Sequence, residues 1–474
     1  MSGLTGSEPP FWEVLDSRRS HLACRDGRGF ELTYGELDAL VARSAASLAK
    51  AGARRLGFLF CDNSVAWLVM YLSTLRAGHV PLLLPEQLDQ ESTARLEATY
   101  APDWTWRPEA GESTETGQIV NEMLTTGLLS YHARPKPRAL HTSLGLLLST
   151  SGSTGSPKLV RLSYDALQAN AASIAEYLAI APSDRALTTL PSNYSYGLSV
   201  IHSHLFAGAS LVLQDISPLD RGFVDLIRRE AVTSLAGVPT WYQMLMRSGF
   251  DKANIPSLRT LTQAGGRLDD RTKRWALDFA RYRGVRFFVM YGQTEATARI
   301  SYVPPDLLPE NLDAIGVPVP GGNLDVDTES GELIYRGTNV MMGYAERAED
   351  LARGDDLGGI LRTGDTGIQK SNGLFAVTGR LKRFIKLGGS RVSLDDIERA
   401  VTEGLGLVSA AGGRDEQLGI WIEGDDHSAP ARVRQLLQVR YRIHHSLTEI
   451  RTVETLPRLP SGKIDYGALT RLAK

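Results

Sequence analysis

Cysteine is nearly absent from this chain. Cys24 and Cys61 are the only two in 474 residues. Two thiols cannot build a disulfide framework, and no Cys/His cluster has zinc spacing. A reducing compartment, the cytoplasm, is the expected location. Charge of one sign is also lacking: the formal net charge is -2. Total charge therefore gives no reason to expect nucleic acid or an anionic membrane as partner. Long apolar runs are missing as well. Stretches such as Leu144–Ser149 are far too short to span a bilayer. The first residues carry Glu8 and Glu13 and lack the basic stretch and apolar core of a signal peptide. Gly and Pro are not in excess, and no repeat or low-complexity tract is visible.

What remains is the profile of a globular protein, with 42% hydrophobic and 22% charged residues. Its length predicts more than one domain and a large core. From about Leu56, short apolar runs alternate with amphipathic stretches. Leu144–Ser149, 158–162, 186–190, Ser210–Leu213, Ser234–Gly237, 258–263 and 285–291 read as strands. Helices are expected at 164–178 (with Ser163 as N-cap), 198–206, 224–229 and 268–282. Such alternation predicts parallel sheets with helices on both faces. After Thr297 the runs Glu332–Arg336 and 374–378 read as strands without intervening helices, a β-rich subdomain. A third texture begins near Arg380, with a turn at Gly388-Gly389 and a helix opened by Ser393, with Asp396 as a capping-box partner. Strand 418–422 and helix 431–441 follow. The expected class is α/β: a large N-terminal lobe, 1–379, of helix-flanked sheets plus the β-rich part, and a small mobile α+β C-terminal domain, 380–474.

One loop points to chemistry. Thr150-Ser151-Gly152-Ser153-Thr154-Gly155-Ser156-Pro157-Lys158 follows a predicted strand. Glycines let a backbone approach an anion closely, free N–H groups and hydroxyls supply donors, and Lys158 adds charge. That suits a polyphosphate, although Ser/Gly loops also occur as plain turns. It is not a Walker A loop: Gly152 and Gly155 are too close together, and Leu159 follows Lys158.

This loop resembles the signature of the AMP-forming adenylating superfamily, which includes acyl- and aryl-CoA synthetases, nonribosomal peptide synthetase adenylation domains and luciferase. Further segments resemble the same family in the same order: Tyr291-Gly292-Gln293-Thr294-Glu295, Gly331-Glu332-Leu333 with Gly343-Tyr344, Thr363-Gly364-Asp365, Gly379-Arg380 through Arg391, and Leu459-Pro460-Ser461-Gly462-Lys463. The resemblance spans essentially the whole chain and is nearest to stand-alone acyl-acid ligases.

The resemblance implies ATP-dependent activation of a carboxylic acid to acyl-AMP, with pyrophosphate released. The acyl group then passes to the thiol of CoA or of a carrier-protein phosphopantetheine. ATP and Mg²⁺ are the implied cofactors, and a separate acyl or peptidyl carrier protein is a possible partner. It implies that Thr294 bonds the α-phosphate, Glu295 holds Mg²⁺ and Tyr291 stacks on adenine. Asp365 would accept from the ribose hydroxyls, with Arg380 as a second ribose or phosphate contact. Gly265 and Gly266 would lay backbone against adenine and the acyl group. Lys463 would bridge carboxylate and α-phosphate in the transition state. Lys382 stands at the hinge position, and Gly388-Gly389 would line a thiol tunnel. Lys382, Arg380, Arg383 and Lys386 form a basic strand, read as a solvated edge or a surface for an acidic carrier or the phosphates of CoA.

The acid pocket is expected around Asn193, Tyr194 and Gly197, with Tyr196, Trp241, Gln243 and Gln263 as further candidates. The aromatic ones serve equally well as core residues. Amino-acid-activating relatives place an Asp in this stretch, and this chain has none. Two other readings stand beside the leading one: adenylation with a non-thiol acceptor or of an unusual oxyacid, and a noncatalytic nucleotide-binding relative.

Overall fold

The computed structural model describes residues 10–13, 15, 19–50, 54–108, 129–132, 139–149, 158–381, 383–387, 390–414, 416–441, 443–459 and 463–472. The expected contacts at Thr150, Ser151, Gly152, Ser153, Thr154, Gly155, Lys382, Gly388 and Gly389 lie outside them.

Two large sheets organise residues 22–345. The nine-stranded sheet has a parallel centre, in spatial order Arg286–Tyr291, Thr260–Gln263, Ser234–Gly237, Arg185–Leu187, Ser210–Leu213 and Leu22–Asp26. Antiparallel strands finish both edges: Ser301–Val303 with Val317–Pro318 on one side, Glu31–Thr33 on the other. The seven-stranded sheet is parallel through Leu144–Ser149, Val80–Pro85, Leu56–Cys61 and Trp104–Trp106. One buried cluster draws on both sheets, combining Cys24, Leu59, Leu146 and Leu211 with Leu37, Trp67, Leu167 and Ile201 from four helices. The buried faces of those helices explain the apolar spacing read from the sequence.

The α/β expectation holds, with one difference beside the phosphate loop. Leu144–Ser149 and Leu159–Ser163 pair antiparallel. The loop therefore joins two neighbouring strands of one sheet, in line with the strand read at 158–162, but they run antiparallel where parallel pairing was expected. The helix starts only at Tyr164, where the Ser163 side chain accepts from Ala166 N as the expected N-cap. A second difference is helix Pro239–Arg247, which the sequence reading left as an unassigned stretch. Proline at its first turn costs no hydrogen bond. At Ser393 only half of the capping box forms: its side chain accepts from Asp396 N.

The expected β-rich part is present, but it starts after residue 320 and not after Thr297, because Ser301–Val303 and Val317–Pro318 still extend the nine-stranded sheet. Asn323–Val326, Glu332–Arg336, Ile360–Gln369 and Phe375–Arg380 make an antiparallel four-stranded sheet. Beyond it come the hairpin Phe384–Leu387 with Ser390–Ser393, helices Leu394–Leu405 and Ala429–Tyr441, and the three-stranded sheet Ser409–Arg414, Gln417–Glu423, Thr448–Val453. These pack a cluster of their own around Ile397, Val401, Ile420, Val433 and Leu437.

Candidate active site

The strand Arg286–Tyr291 ends at the centre of the site. Its continuation, Thr294–Ala296, is one turn of 3-10 helix. This turn brings Thr294 and Glu295 out of the sheet's carboxyl end, where open α/β sheets present their ligand crevices. Thr294 Oγ1 lies 3.1 Å from Ser195 Oγ at the start of helix Ser195–Ala207. The Tyr344 hydroxyl donates to Glu295 Oε1 at 2.8 Å. Lys158 Nζ stands 3.5 Å from the centre of the Tyr344 ring. The end of the glycine-rich loop and the Thr-Glu turn are therefore neighbours, 137 positions apart in the chain.

Asp365 is the hub of the second corner. It is buried at the register position facing Arg380. The Tyr291 hydroxyl donates to its Oδ2 at 2.5 Å, and Gln293 Nε2 donates to the same oxygen at 3.0 Å. Arg380 Nε donates to Oδ1 at 2.9 Å. Burial, followed by the Asp365 charge, pushes the Tyr291 phenol well above its usual range. Burial alone lowers the Arg380 guanidinium; Asp365, Asp395 and Tyr291 outweigh it, and the net shift is upward. Arg383 is engaged on the other side of the predicted hinge, by Asp395, Glu398 and the Tyr466 hydroxyl. Within the basic strand, Arg380 remains exposed while it pairs with Asp365, and Arg383 is largely withdrawn from solvent. Two of its arginines are paired with acids of this chain.

Lys463 reaches this centre from the end of the chain. The residue is exposed, yet its ammonium is held below the ordinary lysine range. The main cause is withdrawal of the ammonium from water. Arg380 adds to the depression, while Glu295 and Asp365 oppose it. Those three groups act on one ammonium, so the C-terminal lysine and the Thr-Glu turn share an electrostatic neighbourhood.

On the acid side, Asn193 and Tyr194 are half-buried ahead of the helix. A β-carbon at Gly197 would come 2.3 Å from the Pro191 carbonyl oxygen, so only glycine allows this helix to pack there. Gly265 adopts φ +85, and a β-carbon on it would lie 2.8 Å from the Tyr194 hydroxyl. Gly265 and Gly266 therefore face Tyr194 and Pro239 across a narrow gap. Gln263 is 1% exposed and donates to the Gly266 carbonyl at 2.9 Å, bracing that turn. Trp241 is part of the core, edge-on to Phe223 and Tyr242. Gln243 binds Asp269, the cap of the next helix.

Three residues here were missed in the sequence. Tyr344 and Ser195 fall inside segments noticed for other reasons. Arg299 belongs to no motif. It is 2% exposed, with its guanidinium carbon 4.2 Å from the centre of the Tyr196 ring.

For a metal, the donor set is spare. Among the described residues no group of three or more His, Cys, Asp or Glu gathers. Glu295 keeps Oε2 uncommitted to Tyr344. One carboxylate completed by phosphate oxygens and water is how Mg²⁺ binds in nucleotide sites, and the residues fit that mode.

Comparison with known proteins agrees with this geometry. A feruloyl-CoA synthase of Amycolatopsis sp is 29% identical over 97% of this chain and 98% of its own. The salicyl-AMP ligase / salicyl-S-ArCP synthetase of Mycobacterium tuberculosis is 28% identical over 94% of this chain and 86% of its own. The solved o-succinylbenzoate CoA synthetase of Bacillus subtilis, in complex with its acyl-adenylate intermediate, shares the fold. Its TM-score is 0.76 at 21% identity, covering 96% of this chain and 97% of that one. Residues 11–345 match the model of the AMP-binding enzymes, and the chain belongs to that family.

Proposed function

We propose that the chain is an AMP-forming acid–thiol ligase that activates a carboxylic acid with an apolar body. A carboxylate oxygen attacks the α-phosphorus of ATP and pyrophosphate leaves. A thiol sulfur then attacks the acyl carbonyl, loses its proton, and AMP leaves with the electron pair. The thiol is that of CoA or of a carrier-protein phosphopantetheine. The two relatives, a feruloyl-CoA synthase and a salicyl-S-ArCP synthetase, support both acceptors.

The observation that supports this reading is that Lys463 lies within the electrostatic reach of Glu295, Asp365 and Arg380, which are themselves set at the sheet's carboxyl end. Both reactants of the first step are anions, so the site must gather positive charge. Lys463 supplies a mobile cation to the attacking carboxylate and the α-phosphate. Thr294 donates to the α-phosphate, and the loop ending at Lys158 holds the β- and γ-phosphates. Asp365 turns toward the ribose hydroxyls, with Arg380 beside it. Mg²⁺ held by Glu295 and phosphate oxygens supplies further charge neutralisation.

We also propose two moving units, 1–379 and 380–474, with the pivot at Lys382. Arg380 bound to Asp365 and Arg383 bound to Asp395 and Glu398 grip the chain on either side of that position. After adenylation the small unit swings Lys463 away and brings Gly388-Gly389 to the thiol entrance. The test is ATP–pyrophosphate exchange across aryl, fatty, amino and hydroxy acids, followed by CoA or holo-carrier and mass detection of the thioester. Exchange that depends on an acid and is followed by a thioester is expected. Acid-dependent AMP release that never yields a thioester would reject the thiol step.

A further inference from the structure

Arg299 is a buried cation that the adenylation chemistry above does not use. Its burial is nearly complete, and no carboxylate among the described residues lies within ion-pair distance of it, whereas buried Arg161 is paired with Asp356. Among the described residues its Nε has no hydrogen-bond partner. Its Nη1 donates to the neighbouring Ala298 carbonyl at 3.4 Å. The remaining company is aromatic: the face of Tyr196 and the hydroxyl of Tyr177. A buried charge without an opposite charge is costly, and arginine is the least replaceable of cations where a planar carboxylate is to be gripped.

The backbone is forced to put it there. Thr297 and Ala298, immediately before it, have φ of 54 and 126. Neither is glycine, and two consecutive residues in that region store strain that the surroundings must hold. Asn339 Nδ2 donates to the Ala296 and Arg299 carbonyls at 2.9 and 2.8 Å and pins the turn. A β-carbon at Gly292 would lie 1.9 Å from the Ala298 carbonyl oxygen, so the strained turn is packed against the Tyr291-Gly292 strand end.

The position relative to the acid is the decisive point. Tyr196, under Arg299, sits edge-on to Tyr194 with ring centres 6.4 Å apart. Tyr194 faces Gly265, and its neighbour Ser195 touches Thr294. Contacts thus link Thr294 to Arg299 through Ser195 and the paired rings of Tyr194 and Tyr196. Resting on the ligase reading, we propose that Arg299 is a specificity-determining residue. It selects an acid whose far end carries a second carboxylate, which pairs with the guanidinium once half-buried Tyr194 swings aside. The near carboxylate goes to Thr294 and Lys463, the body passes the tyrosines, and the distal carboxylate neutralises Arg299 through Nε and an Nη.

The test uses the full chain in ATP–pyrophosphate exchange, with aliphatic and aryl dicarboxylic acids of increasing length and the half-amide of each. The wild type is expected to favour one length of diacid over its half-amide by about 100-fold in kcat/KM, as for a buried charge pair losing one partner. Arg299→Met should bring that ratio close to one, and Arg299→Lys should keep part of it. Thermal unfolding of each variant is measured in parallel. Equal use of diacids and half-amides by the wild type overturns the proposal. So does an Arg299→Met enzyme that loses both substrates in equal proportion along with stability, which would make Arg299 a brace for Tyr177 and Tyr196. If no acid supports exchange, the ligase reading itself falls and this inference with it.

Discussion

The two sides of Thr294 are built differently. On the nucleotide side, Asp365 has both oxygens occupied by Tyr291, Gln293 and Arg380. Glu295 is held by Tyr344, and Tyr344 in turn lies under Lys158. Each polar group has a protein partner that a nucleotide atom can replace, so the corner is set before ligand arrives. On the acid side the partners are rings. Tyr194 meets Tyr196 edge to face, Arg299 lies over the Tyr196 ring, and among the described residues one guanidinium nitrogen has no partner. The chemistry common to all acids is pre-wired, while selectivity is left to shape and one unspent charge. Preorganised donors cost no rearrangement at the moment of reaction, whereas an unsatisfied group discriminates by what it penalises.

The largest effect that would break this contrast is at Lys463. Lys463→Ala should lower acid-dependent exchange by about 10³-fold, as for loss of one transition-state donor, yet leave thioester formation from synthetic acyl-AMP unchanged. The ammonium is the active form and its pKa is depressed. Raising the pH therefore removes activity at a lower pH than an ordinary lysine near 10.4 would, and this basic limb should be absent from the thiol half-reaction. Normal exchange in the alanine variant would separate Lys463 from the chemistry.

Asp365→Asn should cost about 100-fold in kcat/KM for ATP, with little change in the KM for acid, because it removes the charge facing Arg380 and turns one of the two accepting oxygens into a donor. An equal rise in both KM values would mean the hub serves the whole site and the contrast is false. Gly197→Ala should unfold the protein more readily, by about 2 kcal/mol in urea titration, since its β-carbon must displace the Pro191 carbonyl. A variant of wild-type stability would show that this helix is free to shift.

An effect seen only away from neutral pH concerns the dryness of the same helix. His202 is buried against Tyr71, and burial holds its pKa at about 3; burial likewise holds His204 at about 4. The unfolded chain binds protons below about pH 6.5 while the folded chain does not, so stability is full near neutrality and falls as pH drops. The slope should be about 1.4 kcal/mol per pH unit per histidine between pH 6 and 4. In His202→Gln the slope should be reduced by one histidine's share; an unchanged slope would mean that water reaches the ring.

Helix 164–177 and the strands at 210–213, 234–237 and 332–336 were legible, and Thr294, Glu295, Asp365, Arg380 and Lys463 stood out as candidates, for a shared reason. Each is carried by a local pattern: a cap, a periodicity, or a short motif whose residues are adjacent in the chain. Helix Pro239–Arg247 was not, because its single proline reads as a breaker and its buried face is only three residues, Trp241, Tyr242 and Leu245. The ion pairs of Arg380 and Arg383 were not legible, because their acids, Asp365, Asp395 and Glu398, come from other segments.

By itself, then, the sequence determined which chemical groups the molecule owns and in which short phrases they stand: a glycine-rich loop, a Thr-Glu turn, an aspartate after glycine, a lysine near the end. Local rules of turn, cap and period suffice for that, since they act over a few residues. Only the tertiary structure decided which charges cancel. It paired Arg380 and Arg383 and left Arg299 buried beside aromatic rings, because ion pairing and burial depend on neighbours far away in sequence and near in space.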